Sequence, residues 1–316
     1  MSLIFRLKSS ASTLGRVAVG AALGLALVAA VAGAPGRALA QTPPAAVSAR
    51  GGPALWVVRD ADSTIYLFGT VHVLRPSTVW RWVGVEAAFD SASRIVMEVS
   101  NPDDQASLVP LIQQYGLSPA TPLSGLLAAG ELAALDVAAQ TVGLSAAQMD
   151  PFRPWLAALT LSVAPLARAG YDPQSGVELI LKARAEAAGK PVTGFETLDE
   201  QIRILAGFPE EGQLALLRST LEDYETATVE LDRLVEAWAA GDVEAIETIG
   251  VDPMRESSEL LYQALLVNRN TNWADQIQAM LAGSGVVFIA VGGAHLAGDD
   301  SVQEILEARG VAVTRE

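Results

Sequence analysis

The chain has 316 residues, 51% of them hydrophobic, with 36 Asp and Glu against 21 Lys and Arg, two His and no Cys. A formal net charge of −15 argues against nucleic acid or an anionic membrane as a partner. The lack of cysteine excludes a disulfide frame, a thiol nucleophile and a cysteine metal site.

The first 40 residues read as a secretory signal peptide. Arg6, Lys8 and Arg16 give a basic start, 17–31 is an apolar run, and Ala38-Leu39-Ala40 is a small-x-small cleavage site before Gln41. The run is too short to prefer a stable transmembrane span. No Cys follows it for a lipid anchor, and no twin arginine precedes it. The expected location is therefore the periplasm or the exterior, with no stable membrane insertion after cleavage. The first 40 residues carry four basic and no acidic side chains, which leaves 17 basic against 36 acidic residues and a net charge of −19. Such a surface favours solubility and cationic ligands or metal ions. Residues 41–52 read as a flexible leader. Residues 53–316 suit one domain of α/β size.

In chain order, 54–59 and 64–68 flank the turn-like Asp60-Ala61-Asp62-Ser63 and predict a β-hairpin. A helix is expected over 83–92, then a buried strand over 94–98 that stops at Glu98. From 103 to 170 the pattern is helical and punctuated by prolines, with a buried helix at 155–166. A helix over 176–188 is closed by Gly189. A short strand over 191–196 ends at Glu196. Helices are expected at 199–206, 210–224, 228–240, 243–249, 257–267 and 268–281. A strand over 286–291, a helix over 301–309 capped by Asp299 or Asp300, and an edge strand at 311–313 complete the chain. The fold class is α/β: a central mixed sheet flanked by many helices, including a large helical insertion.

Both histidines stand in one context. Gly69-Thr70-Val71-His72 follows the apolar run 64–68, and Gly292-Gly293-Ala294-His295 follows 286–291. Each reads as a buried strand, a glycine turn and an imidazole beyond the strand end. This double G-x-x-H hints at an internal duplication. With Glu98 and Glu196, four strand ends carry imidazole or carboxylate, and ligands of open α/β sheets bind beyond such ends. Two imidazoles and two carboxylates make a sulfur-free ligand set for a first-row divalent ion. His72, His295, Glu98 and Glu196 are the candidate ligands, and either carboxylate is alternatively a general base. There is no G-x-S-x-G, P-loop or H-E-x-x-H. Taken singly, each of the four has a plainer reading: a turn histidine, a solvated strand end, or, for Glu196, a helix N-terminal carboxylate.

The stretches 66–74, 96–99, 189–197, Asn268-Arg269-Asn270 with Trp273, and 291–298 together resemble the TraB/GumN family across nearly all of 54–316. That family includes the Tiki metal-dependent peptidases, which trim the amino terminus of secreted signalling proteins, and the PrgY/TraB proteins implicated in lowering peptide pheromone activity. Its fold is similar to the erythromycin-esterase and ChaN-like group. The resemblance implies that His72, Glu98 and His295 are site residues and that Arg269 contacts substrate or an oxyanion. It also places Gly176-Val177-Glu178 where the family carries Gly-Val-Asp, with the acid one methylene longer. The expectation is an exported metal-dependent hydrolase with manganese, cobalt or zinc, acting on peptide or protein substrates. Two alternatives are a non-catalytic binding or regulatory protein of the same fold and a metal-free, histidine-based esterase-like hydrolase. Mass spectrometry of the exported protein is expected to show a chain beginning at Gln41; a membrane-bound species retaining Met1 would contradict the signal assignment.

Overall fold

The computed structural model describes residues 47–49 and 51–316; the expected signal and most of the expected leader lie outside these residues. The leader's described end is held in place. Ser48 bridges to Trp82, its N–H donating to Arg81 O at 2.8 Å.

Six strands form one sheet: β1 Leu55–Arg59, β2 Ser63–Thr70, β3 Arg94–Val99, β4 Val192–Glu196, β5 Gly285–Gly292 and β6 Val313–Arg315. Their order is β4-β3-β5-β2-β1-β6. Neighbours among β4, β3, β5 and β2 run parallel, while β1 pairs antiparallel with β2 and β6. The expected mixed sheet is thus present, and its four site-bearing strands lie side by side. The final strand sits about two residues later than expected and forms the edge on β1.

Helix α1, Val83–Ser91, connects β2 to β3. The helical insertion comes in two blocks, because β4 divides it. The first block holds α2 Gln105–Tyr115, α3 Ala129–Gln140, α4 Pro154–Arg168 and α5 Val177–Ala187. The second holds α6 Leu198–Ala206, α7 Glu210–Glu222, α8 Ala227–Ala240 and α9 Asn268–Leu281, and α10 Val302–Ala308 follows β5. Among the described residues no helix is long and apolar enough to cross a membrane.

Period-2 side-chain alternation divides the core between the two faces of the sheet. From β5, Phe288 and Ala290 join Phe68 and Phe89 under the larger helical layer. Val287, Ile289 and Val291 face the other way and pack on Trp273 and Ile277 of α9 and Leu306 of α10. Trp273 and Ile277 stand one turn apart, so one helix face both covers the sheet and presents Arg269, one turn earlier, beneath the strand ends.

Two expected helices are interrupted. The stretch 243–249 changes to a π-helical turn at Glu247–Val251, and 257–267 ends in another at Gln263–Val267. Pro253 has no N–H to give the carbonyl four residues back, which accounts for the first widening. In the second, Asn268 N–H reaches Gln263 O, five residues back, and the extra residue sets the rotation at which α9 begins. The last helix starts from Ser301 rather than from Asp299 or Asp300. Asp300 is engaged elsewhere: its carbonyl accepts from Asn270 and its carboxylate from Tyr262.

Gly176 tests how tightly the site is supported. A Cβ there would stand 2.4 Å from the His72 carbonyl oxygen. Gly176→Ala is expected to cost about 2 kcal/mol or more in chemical denaturation by forcing backbone to move. Gly130, near the start of α3, has open space around its would-be Cβ. Gly130→Ala is expected to be stabilising by roughly 0.4–1 kcal/mol.

Candidate active site

The two G-x-x-H segments lie next to each other because β2 and β5 pair in parallel. Their register is offset by one, with Gly69 opposite Val291 and Thr70 opposite Gly292. Gly69 is required by close approach: a Cβ would come within 3.1 Å of Gly293 Cα. Trp238 Nε1 donates to Gly69 O at 2.8 Å and pins the first turn from the far side. His295 sits on the short turn Gly293–Leu296, and both imidazoles are buried.

His72 is oriented by Glu178. The chain at Asp172–Glu178 runs beside 71–74, with Asp172 N–H on Leu74 O and Val177 N–H on Val71 O. This brings Glu178 Oε1 to 2.8 Å from His72 Nδ1. Of the residues in the site, Glu178 is the one whose role the sequence left open. Its signal was the Gly-Val-acid triplet at a helix start. On the other side, His72 Nε2 lies 3.4 Å from Glu98 Oε2. Burial alone would lower the His72 pKa, but Glu178 and then Glu98 outweigh it and push the imidazole up to about 10.

Glu98, one residue before the end of β3, is shared by everything around it. Its Oε1 accepts from Arg269 Nη2 at 2.6 Å, and its Oε2 accepts from the Gly292 N–H at 3.0 Å. Burial opposes ionisation, yet Arg269 and then His72 hold Glu98 well below the usual carboxylate range.

Arg269 also forks onto Glu196, with Nε on Oε1 at 2.8 Å and Nη2 on Oε2 at 2.9 Å. Its Nη1 meets Leu265 O at 3.2 Å, a carbonyl of the π-helical turn, and His295 Nε2 at 3.0 Å. Trp273 Nε1 adds a bond to Glu196 Oε1 at 2.9 Å, and its ring lies 4.3 Å from that of His295. Glu196 is therefore an ion-pair partner and not a helix cap. Thr197 and Glu200 cap α6 instead.

All the expected residues converge, but they form two compartments. A cavity is lined by Thr70, His72, Glu98 and Glu178, with Met97, Val99, Pro102 and Ala290. Arg269, Glu196 and His295 lie behind Glu98 and do not line it. Three atoms of the lining residues, His72 Nε2, Glu178 Oε2 and Thr70 Oγ1, have no hydrogen-bond partner among the described residues. The expected four-ligand set does not fit one ion as it stands, because a guanidinium lies against Glu98, Glu196 and His295. Among the described residues no three His, Asp or Glu side chains are placed to hold a metal. Only His72 and Glu98 of that set border the cavity.

The parallel strands, their G-x-x-H ends and the buried Arg269 cluster define an α/β protein with a polar site at the carboxyl ends of its strands. The TraB/PrgY/gumN family pattern matches residues 54–315, and the chain belongs to that family. It is 25% identical over 256 residues to the uncharacterized protein YbaP of Escherichia coli, covering 80% of this chain and 92% of that one. An uncharacterized protein of Treponema pallidum is 21% identical over 270 residues, 80% of each chain. The YbaP of Shigella flexneri is 29% identical over 167 residues, 53% of this chain and 61% of the other. No solved structure matches.

The raised His72 pKa has a sign that can be tested. The folded state keeps a proton that the unfolded chain releases near its ordinary pKa of 6.5. Stability from this group is complete below about pH 6.5 and lost as pH rises toward about 10. Urea denaturation between pH 6 and 10 is expected to show this decline in the wild type and a flatter profile in His72→Gln.

Proposed function

We propose that the protein is an exported hydrolase whose reaction takes place in the cavity beside His72, Glu98 and Glu178, on peptide or protein substrates. The observation that carries this reading is the oriented His72–Glu178 pair, which lines a cavity beside an ionised Glu98. A carboxylate behind an imidazole fixes its orientation and strengthens its hold on a proton. In this reading His72 supplies a proton from Nε2 to the departing group, and the nitrogen or oxygen leaves neutral. Glu98 Oε2 accepts a hydrogen bond from the attacking water and orients it, and the proton that the water loses recharges His72 as product leaves. Arg269 and the Gly292 N–H keep that carboxylate fixed while the water is consumed. The peptide preference comes from the family resemblance and not from the cavity.

Metal dependence is the second reading, favoured by the partnerless His72 Nε2, Glu178 Oε2 and Thr70 Oγ1 of the lining residues. A divalent ion supplies water activation and carbonyl polarisation when bound. Only His72 and Glu98 of the expected ligands border the space for it. One experiment separates these readings. The mature protein is assayed against a peptide library with chelator, or with added manganese, cobalt or zinc, and its metal content is measured. Cleavage that survives chelator supports the proposed reading. Loss in chelator with recovery on manganese or cobalt supports the second. His72→Gln and Glu98→Gln are each expected to lower kcat by roughly 10²-fold or more, the usual scale for a positioned proton donor. The absence of any cleavage would leave a binding or regulatory protein.

A further inference from the structure

Arg269 is a buried guanidinium with five N–H donors and no means of losing its charge. Each donor has an acceptor here: two go to Glu196, one to Glu98, one to Leu265 O and one to His295 Nε2. The last holds only if His295 Nε2 presents a lone pair. A hydrogen on that atom would face the Nη1–H, donor against donor, across 3.0 Å.

The other end of the ring shows which nitrogen holds the hydrogen of a neutral imidazole. Asn270 Nδ2 lies 2.7 Å from the Asp300 carbonyl oxygen, which can only accept. The amide is thereby oriented with its NH2 toward Asp300 and its oxygen toward His295. Asn270 Oδ1 is 2.6 Å from His295 Nδ1, so Nδ1 must carry the hydrogen. Asp300 is itself held, its carboxylate accepting from Tyr262 at 2.6 Å. From Arg269 through His295 and Asn270 to the Asp300 carbonyl, each bond thus runs in one donor-to-acceptor sense.

We infer that the second G-x-x-H is a guanidinium holder: Asp300 and Asn270 fix His295 in its Nδ1–H form, and His295 then accepts from Arg269 as the resident cation of the inner compartment. Asn270 is a positioning residue, acting through His295 and Arg269 on Glu98. His295 is accordingly not a ligand of a metal shared with His72. Glu98 Oε1 lies farther from His295 Nε2, at 3.5 Å, and is already bonded to Arg269 at 2.6 Å.

The chain has only two histidines, which makes the test direct. The mature protein is labelled with 15N-histidine, and two-bond nitrogen–proton correlations are recorded at pH 7, with His72→Gln assigning the His295 set. The expected spectrum shows His295 with protonated Nδ1 and unprotonated Nε2, unchanged on adding zinc. Protonated Nε2, two protonated nitrogens or a zinc-induced shift at His295 would overturn the inference. In Asn270→Ala, His295 is expected to lose its single tautomer while near-ultraviolet dichroism stays native. An unchanged tautomer in Asn270→Ala would remove Asn270 from the account. A fall in kcat of about tenfold with KM unchanged is expected in Asn270→Ala; this arm alone rests on the hydrolase reading, whereas the spectra stand without it.

Discussion

The ion pair between Arg269 and Glu98 governs the arrangement of the site. A guanidinium cannot shed its charge when buried, so the fold must bring acceptors to it. Burying such a cation costs several kcal/mol before its partners are counted. Glu98 comes from β3, Glu196 from β4, Leu265 from the turn before α9, and His295 from the loop after β5. No pair of neighbouring elements could satisfy Arg269 alone. Removing Glu98 breaks its buried contacts with Arg269 and His72 together, a loss on the order of 3–5 kcal/mol. The cluster therefore fastens the carboxyl ends of the parallel strands to each other. It also gives Glu98 one fixed orientation, with Oε1 turned inward and Oε2 turned toward His72.

That division makes chemical sense of a crowded site. A carboxylate that orients water or a ligand must not rotate, and the pair Arg269 Nη2 and Gly292 N–H holds both of its oxygens. The π-helical turn at Gln263–Val267 contributes by rotating the start of α9 so that Arg269 reaches back to Leu265 O. π-Helical turns of this kind recur at functional sites because they re-aim a side chain without breaking the helix.

Much of this was legible in the sequence. The strands ending at His72, Glu98, Glu196 and His295 announced themselves by short apolar runs and glycines, and they share one sheet. Pairings between charged side chains were not legible. Glu178 meets His72 across 106 residues and Arg269 meets Glu98 across 171, and no periodicity links positions so far apart. A ligand set of two histidines and two glutamates was a sound reading of residue types alone. It could not foresee that an arginine from a helix on the opposite face of the sheet would stand among them. The π-helical turns were hidden for a different reason: they interrupt continuous apolar patterns that a straight helix would explain equally well.

The two G-x-x-H motifs look equivalent on paper, and their divergence turns on the group that meets each Nδ1. A carboxylate, Glu178, meets that of His72, and an amide, Asn270, meets that of His295. A charged acceptor strengthens the imidazole's hold on a proton, and Glu98 on the far side does the same, so His72 carries positive charge at the cavity. An amide oxygen orients the ring without adding charge, and the nitrogen opposite it is directed at a cation the protein already owns. Two like sequence motifs at neighbouring strand ends, one register step apart, are thus given different chemistry by one side chain each. A carboxylate behind the imidazole suits a group that must deliver a proton, and an amide suits one that must stay neutral and hold Arg269. The identity of the Nδ1 partner, rather than the G-x-x-H spacing, assigns each histidine its task.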